Sequence, residues 1–229
     1  MSSPKSQCHP SYCYLSFGIA IATFLLYLQN PAPFSPFLGT LNPLFPVLFI
    51  LVSGYYLLSY LESKSTFYIY QKGSSRNYIA IIAIAMLFGV EVIIADIWFA
   101  EYPRDINVAY PQSLLFYPVM GFIAEIIFHL IPIALIVFLL SSLTSLPINR
   151  IIWIAILVAA VIEPLFQVRF AAETSMTTMI YTAIHVFLFS LIQLIIFKYL
   201  GFIAMYATRI VFYIVWHIAW GHFRLELLF

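Results

Sequence analysis

Two ionisable residues lie four positions apart in an otherwise apolar stretch, GFIAEIIFHLIPI, at residues 121–133. Glu125 and His129 are at i and i+4, so a helix places both side chains on one face. A buried carboxylate can act as a general base on water while an imidazole orients that water or stabilises an oxyanion. Alternatively, Glu and His side chains from several helices can bind a divalent metal ion.

Further ionisable residues lie inside apolar segments, and each is by default a functional hypothesis because a charge within a membrane is costly. The alternative for each is an interhelical hydrogen bond that only fixes packing, worth less than about 1 kcal/mol. We expect Glu91 and Asp96 to pair with Arg209 or with tyrosine hydroxyls. The full set is Glu91, Asp96, Glu125, His129, Glu163, His185, Arg209 and His217.

Two further expectations concern the ends of helices. Pro164 directly follows Glu163 and is predicted to end that helix, because proline removes a backbone hydrogen bond. Near the C-terminus, His222, Arg224 and Glu226 are predicted to lie at the membrane interface and anchor the last helix.

The composition identifies the class of protein that must position these groups. Of the 229 residues, 64% are hydrophobic and only 8% are charged, and the mean hydropathy is +1.02. A soluble domain carries about 25% charged residues, so this chain is predicted to be an integral membrane protein in contact with lipid. The net charge of +1 gives no electrostatic footprint for nucleic acid.

Seven apolar segments are long enough to approach a membrane span of about 20 residues. The runs are continuous rather than alternating, which predicts helices and not strands. The fold class is therefore all-α, a polytopic transmembrane bundle. The sixth and seventh segments separate either at Gly201 or near Thr208 and Arg209. The segments are residues 14–29, 44–61, 78–99, 114–140, 151–165, 179–199 and 203–224.

Lysine and arginine counts predict an N-terminus on the cytoplasmic side, because cytoplasmic loops carry the excess of these residues. The chain then divides into a short polar tail at 1–13, three spans at 14–109 and a helical core at 110–229. The predicted cytoplasmic loops hold Lys5, Lys64, Lys72, Arg76, Arg150 and Lys198, against Arg104, Arg169 and Arg224 outside.

Residues 110–225 resemble the CPBP family of intramembrane proteases, which includes the type II CAAX prenyl endopeptidases and bacterial relatives tied to bacteriocin immunity. The stretch AEIIFH at 124–129 resembles the family motif EExxxR. The stretch from Arg209 to Gly221, which contains His217, resembles HxxxN. The middle motif FxxxH has two candidates, Tyr181-x-x-x-His185 by chemistry and Ala159-x-x-x-Glu163 by spacing.

The resemblance implies an endopeptidase that cleaves a membrane-associated peptide or protein, in a prokaryotic cell membrane. Glu125 would be the general base or its helper, and His185 or Glu163 would hold the water. His217 would donate to the oxyanion. The chain departs from the motifs where Ala124 replaces a glutamate, His129 an arginine and Gly221 an asparagine.

Two other readings remain open. The first is a catalytically inactive membrane protein of the same fold, acting as a partner, an immunity protein or a scaffold. The second is a metal or lipid-quinone site built from Glu125, His129, Glu163 and the other histidines, although the sequence has no HExxH or Glu-x-x-His motif. The protease reading predicts that Glu125, His217 and a third group converge on one cavity.

Overall fold

A computed structural model of the protein describes residues 9–64, 66–104, 106–170 and 174–228. Over these residues the regular structure is helical, and seven helices are long and apolar enough to cross a membrane. This confirms the prediction of an all-α bundle with seven spans. The helices are α1 (Pro10–Gln29), α2 (Leu44–Ser63), α3 (Ser75–Trp98), α4 (Ser113–Leu143), α5 (Ile148–Phe170), α6 (Met176–Leu200) and α7 (residues 202–228).

The helices α4 and α7 form the centre of the bundle. Helix α4 packs against α1, α2, α5 and α7, while α7 also contacts α3 and α6. More than half of the residues in the most apolar stretch of α4 are buried, against 22% in that of α1, which faces outward. The ionisable side chains of α4, Glu125 and His129, are accordingly fully buried.

Helix α1 begins earlier than the sequence indicated, at Pro10 rather than at residue 14. Proline suits the first turn of a helix, where its missing N–H would have no partner in any case. Tyr12 then lies inside the bundle, where its hydroxyl donates to the carbonyl of Leu51 at 2.7 Å. This bond fixes the start of α1 against α2.

The break between α6 and α7 falls at Gly201, one of the two predicted positions. Gly201 has φ of +90°, in the region that favours glycine. The amides of Phe202 and Ile203 donate to the carbonyls of Tyr68 and Ile69 at 3.0 and 3.1 Å. These bonds satisfy N–H groups that the first turn of α7 leaves without intrahelical partners.

Helix α5 does not end at Pro164. It continues through this residue to Phe170, so the predicted helix end is wrong. In a bundle that spans a membrane, an interrupted helix would expose backbone groups that no water can satisfy, so helices continue through proline. As a result Glu163 lies within α5 and not at its end.

Two helices contain a π-helical segment, in which hydrogen bonds join residues i and i+5. The first, Glu125–Leu130, lies within α4, and the second, Ile214–Trp220, lies within α7. Pro132 lies two residues after the end of the first segment, and the wider turn accommodates its ring and its missing N–H. Such segments are rare and frequent at functional sites. His129 and His217 each lie in one of them.

Candidate functional site

Four helices, α4 to α7, meet around a group of polar side chains in the middle of the bundle. We refer to this group as the core cluster, and none of its members is more than 3% exposed. Buried polar groups of this kind must bond to one another, because burial removes the hydrogen bonds that they would otherwise make with bulk water. The core cluster consists of Glu125, His129, Glu163, Gln193 and Arg209.

Arg209 is the hub of the core cluster. Its Nε atom lies 2.5 Å from Oε1 of Glu125. Its Nη1 and Nη2 atoms each lie 2.7 Å from a different oxygen of Glu163, so this contact is bidentate. Bidentate guanidinium–carboxylate pairs are among the strongest hydrogen-bonded contacts in proteins. One arginine on α7 therefore joins a carboxylate on α4 to a carboxylate on α5.

Glu125 is bonded through both of its oxygens. Oε2 contacts Nδ1 of His129 at 2.6 Å, and Oε1 accepts from Arg209 and also from Nε2 of Gln193. The carbonyl oxygen of Gln193 accepts in turn from Nη2 of Arg209 at 3.1 Å. Gln193 therefore fixes the relative position of the carboxylate and the guanidinium.

His129 lies between the two carboxylates. Its Nε2 atom is 3.4 Å from Oε2 of Glu163, within ion-pair distance but without hydrogen-bond geometry. The hydroxyl of Ser190 donates to the same oxygen of Glu163 at 3.2 Å. Both ring nitrogens of His129 thus face carboxylate oxygen, one from its own helix and one from α5.

A second polar group surrounds His217, near the end of α7. Nδ1 of His217 lies 2.8 Å from Oδ1 of Asn107, and its ring stacks on Tyr117 with centroids 4.4 Å apart. The hydroxyl of Tyr117 accepts from the amide of Val108 at 2.8 Å. A Cβ atom at Gly221 would lie only 2.8 Å from Nδ2 of Asn107. The absence of a side chain at Gly221 therefore leaves room for the amide of Asn107.

Tyr213 separates the His217 group from the core cluster. Nη1 of Arg209 donates to the hydroxyl of Tyr213 at 3.4 Å, and the ring of Tyr213 meets His217 edge-on at 4.9 Å. Arg209 and His217 are eight residues apart, or about 12 Å along a helix. Glu125 and His217 are therefore linked through Tyr213 and not by direct contact. Their convergence with a third group on one cavity stays a prediction of the protease reading.

His185 lies outside the core cluster. Its Nδ1 atom contacts the carboxylate of Glu91 on α3, and the hydroxyl of Tyr181 lies 3.4 Å from the same nitrogen. Of the two expected partners of Glu91, Arg209 is wrong, because it is fully engaged by Glu125 and Glu163. The tyrosine hydroxyl is confirmed, since Tyr181 bonds to Glu91. Of the two candidates for the middle motif, Glu163 joins the core cluster and His185 does not.

Asp96 and Arg224 form a third polar group, which we name the end cluster. Arg224 donates through Nε and Nη2 to the two oxygens of Asp96, at 2.7 and 3.0 Å, and Trp220 adds a bond at 2.7 Å. Arg224 also donates to the carbonyls of Tyr102 and Pro103. The sequence predicts Arg224 as an interfacial anchor of the last helix, and the structure buries this side chain, which is 1% exposed, against Asp96 of α3.

The core cluster does not fit a metal ion. Within the described part of the chain, no three His, Cys, Asp or Glu side chains are grouped as metal ligands. The guanidinium of Arg209 lies between the two carboxylates and already occupies the position that a bound metal ion would need. The donor set therefore disagrees with the metal reading of Glu125, His129 and Glu163.

Sequence reasoning did not assign three residues of these groups to a site. Arg209 was recognised as ionisable, but its depth depended on the helix break, which Gly201 resolves. Gln193 stands alone as an amide in the apolar run of α6, and eight positions separate it from His185. Asn107 lies between α3 and α4, and no sequence pattern relates it to His217.

Comparison with known proteins found no match to a family model, to a curated protein or to a solved structure. The likeness to CPBP proteases therefore depends on the motif residues alone. Seven apolar helices support an integral membrane protein. The inward N-terminus and the prokaryotic cell membrane stay predictions.

Proposed function

We propose that the chain is an intramembrane hydrolase that cleaves peptide bonds, with an active centre similar to that of CPBP proteases. One observation carries the proposal: Glu163 shares both Arg209 and His129 with Glu125. The family motif has two adjacent glutamates, and this chain has alanine at position 124. Glu163 supplies the second carboxylate from a different helix.

The other two departures from the motifs are also matched by residues from elsewhere in the fold. The motif arginine is His129 in this chain, and Arg209 brings a guanidinium to the same carboxylate. The motif asparagine is Gly221, and the amide of Asn107 packs directly over that glycine while bonding to His217. Each missing chemical group is therefore present near its expected partner.

This set of groups suits hydrolysis by an activated water. A carboxylate of the Glu125 and Glu163 pair takes a proton from water, whose oxygen attacks the carbonyl carbon. Asn107 and His217 would hold the carbonyl oxygen on the other side of Tyr213, which lies between them and the carboxylates. The proton then passes to the leaving amine as the C–N bond breaks.

A cleavage assay in isotopically labelled water tests the proposal. The protein is purified into lipid nanodiscs and incubated with a library of peptides from membrane and juxtamembrane segments in water enriched in oxygen-18. We expect mass spectrometry to find products with one labelled oxygen in the new carboxylate. Glu163→Gln should lower kcat/KM at least about 100-fold, in the range of a lost general acid or base.

The matched control is Glu101→Gln, which removes a carboxylate that is exposed and outside the core cluster. This variant should cleave at the wild-type rate. Cleavage that survives in the folded Glu163→Gln variant would remove that carboxylate from the reaction. If the wild-type protein leaves the whole library intact, the hydrolase proposal fails.

A second candidate function, a non-catalytic membrane protein of the same fold, is favoured by one specific observation. Both oxygens of Glu125 are already bonded, to His129 on one side and to Arg209 and Gln193 on the other. A base with both oxygens engaged is poorly placed to take a proton from water. In that case the wild-type protein cleaves no peptide of the library. Glu125→Gln then lowers the thermal stability of the protein.

A further inference from the structure

The core cluster does not balance its charge with its permanently ionised groups. It contains two carboxylates, Glu125 and Glu163, and one guanidinium, Arg209, all at most 3% exposed. Ionised carboxylates would therefore leave a net charge of −1 in the interior of the bundle. An unbalanced buried charge is strongly destabilising, so the cluster must hold one more positive charge or one more proton.

His129 is the group in contact with both carboxylates that can take this proton. The other side chains that face the carboxylates are neutral: Gln193 and Ser190 from α6. From α7, Arg209 is already counted, and the phenol of Tyr213 is also neutral. Helix α2, which packs against the π-helical segment of His129, buries apolar residues, among them Leu51, Gly54 and Leu58.

The position of the imidazole ring leads to the same conclusion independently. Nδ1 of His129 is 2.6 Å from one carboxylate, and Nε2 is 3.4 Å from the other. A neutral imidazole has one N–H group and one bare nitrogen. In either tautomer the bare nitrogen would lie within 3.4 Å of a carboxylate oxygen. Only an imidazolium carries an N–H group on both of the nitrogens that lie near Glu125 and Glu163.

We infer that the core cluster is a proton-binding site, in which His129 is held as an imidazolium between Glu125 and Glu163. The family motif has a permanently charged arginine at this position, whereas this chain has a group that can give its proton up. The inference stands whether or not the chain hydrolyses peptides. If it does, His129 holds a proton that a leaving amine could accept.

Nitrogen-15 NMR of the histidine rings tests the inference without any substrate. Protein labelled at histidine is prepared in nanodiscs at neutral pH, and the His129 signals are assigned by their loss in His129→Gln. We expect both ring nitrogens of His129 to resonate where protonated nitrogens do. A signal at the position of a bare nitrogen in wild-type His129 would overturn the inference.

A charge-removing variant sharpens the test. Glu163→Gln keeps the shape of the side chain and leaves one carboxylate against one guanidinium, so the proton is no longer needed. We expect one His129 nitrogen to shift to the bare position in this variant, while Glu101→Gln leaves the spectrum unchanged. An imidazolium that persists in Glu163→Gln would contradict the charge count. If Glu163→Gln does not fold, the wild-type spectrum decides alone.

Discussion

The core cluster and the end cluster both bury an arginine against carboxylates, yet they balance charge differently. In the end cluster one arginine, Arg224, meets one carboxylate, Asp96, and its remaining donors reach backbone carbonyls. In the core cluster one arginine is shared between two carboxylates. A pair with zero net charge can hold two helices together by itself, whereas a cluster with one excess negative charge needs a group that can take up a proton.

The two clusters also differ in depth. Glu125 lies 12 residues from the start of α4, or about 18 Å along the helix, which is mid-membrane. The end cluster lies where α3 ends and where residues 102–103 turn back over α7. Water can reach the surroundings of a broken end cluster far more easily than those of a broken core cluster. Loss of the core arginine should therefore cost more.

The largest effect is expected for Arg209→Gln. The substitution leaves Glu125 and Glu163 buried without their shared cation, and breaking a buried ion pair from one side costs about 3–5 kcal/mol. We expect the variant to yield little folded protein, measured by size-exclusion chromatography and thermal unfolding in detergent. The exposed control Arg150→Gln should behave as wild type. Equal stability of the two variants would contradict the role of Arg209 as the hub.

A smaller effect is expected from the end cluster. Asp96→Asn and Arg224→Gln should each lower the stability by about 1–3 kcal/mol, the cost of a buried polar group that loses its partner. In a double-mutant cycle the combined loss should be less than the sum, because the two side chains interact directly. Additive losses would mean that the pair contributes nothing as a pair.

Gly221→Ala tests the contact of Asn107 with His217 and should lower the stability less than the changes in the end cluster. The added Cβ would meet the side chain of Asn107 at 2.8–2.9 Å, and this side chain must then move. We expect a stability loss of about 1 kcal/mol, at the lower end of overpacking effects, and a changed His217 ring signal by NMR. Gly18→Ala is the matched control, since a Cβ there would meet no atom within 4 Å. An unchanged His217 signal in Gly221→Ala would refute the contact.

The smallest effect is expected for Tyr102→Phe. The hydroxyl of Tyr102 makes one long contact with Thr182, at 3.4 Å, and burial raises the pKa of Tyr102 to about 12. The phenol is therefore neutral at physiological pH and takes no part in the charge balance of the neighbouring end cluster. Thermal unfolding should change by less than about 0.5 kcal/mol, below a typical hydrogen bond. A loss as large as that of Arg224→Gln would show that the phenol belongs to the end cluster.

The spans could be predicted from the sequence because each one is a continuous run of apolar residues, which is a local property of the chain. The contact between Glu125 and His129 was predictable for the same reason, since both lie on one helix face. The approach of Glu163 and Arg209 was not. The segments around them are apolar on every side, so the pattern does not determine which way each helix is rotated.

One error has a physical origin. Pro164 was expected to end a helix, as proline does in water, whereas Arg224 was expected only to anchor the last helix at the interface. Inside a membrane the balance changes, because an interrupted helix or a free guanidinium finds no water to bond. The helix continues through Pro164, and Arg224 turns inward to Asp96.

The joint at Gly201 has a consequence for how freely this part of the chain can vary. Main-chain carbonyls of Tyr68 and Ile69 hold the first turn of α7, so their side chains are not required for the bonds. Gly201 is constrained by type, by its φ and by the 3.0 Å that a Cβ would leave to each carbonyl oxygen. The exposed positions of this loop, Tyr68 and Tyr70, can therefore vary while the loop still holds α7. Gly201 and the buried Phe67 and Ile69, by contrast, cannot vary freely.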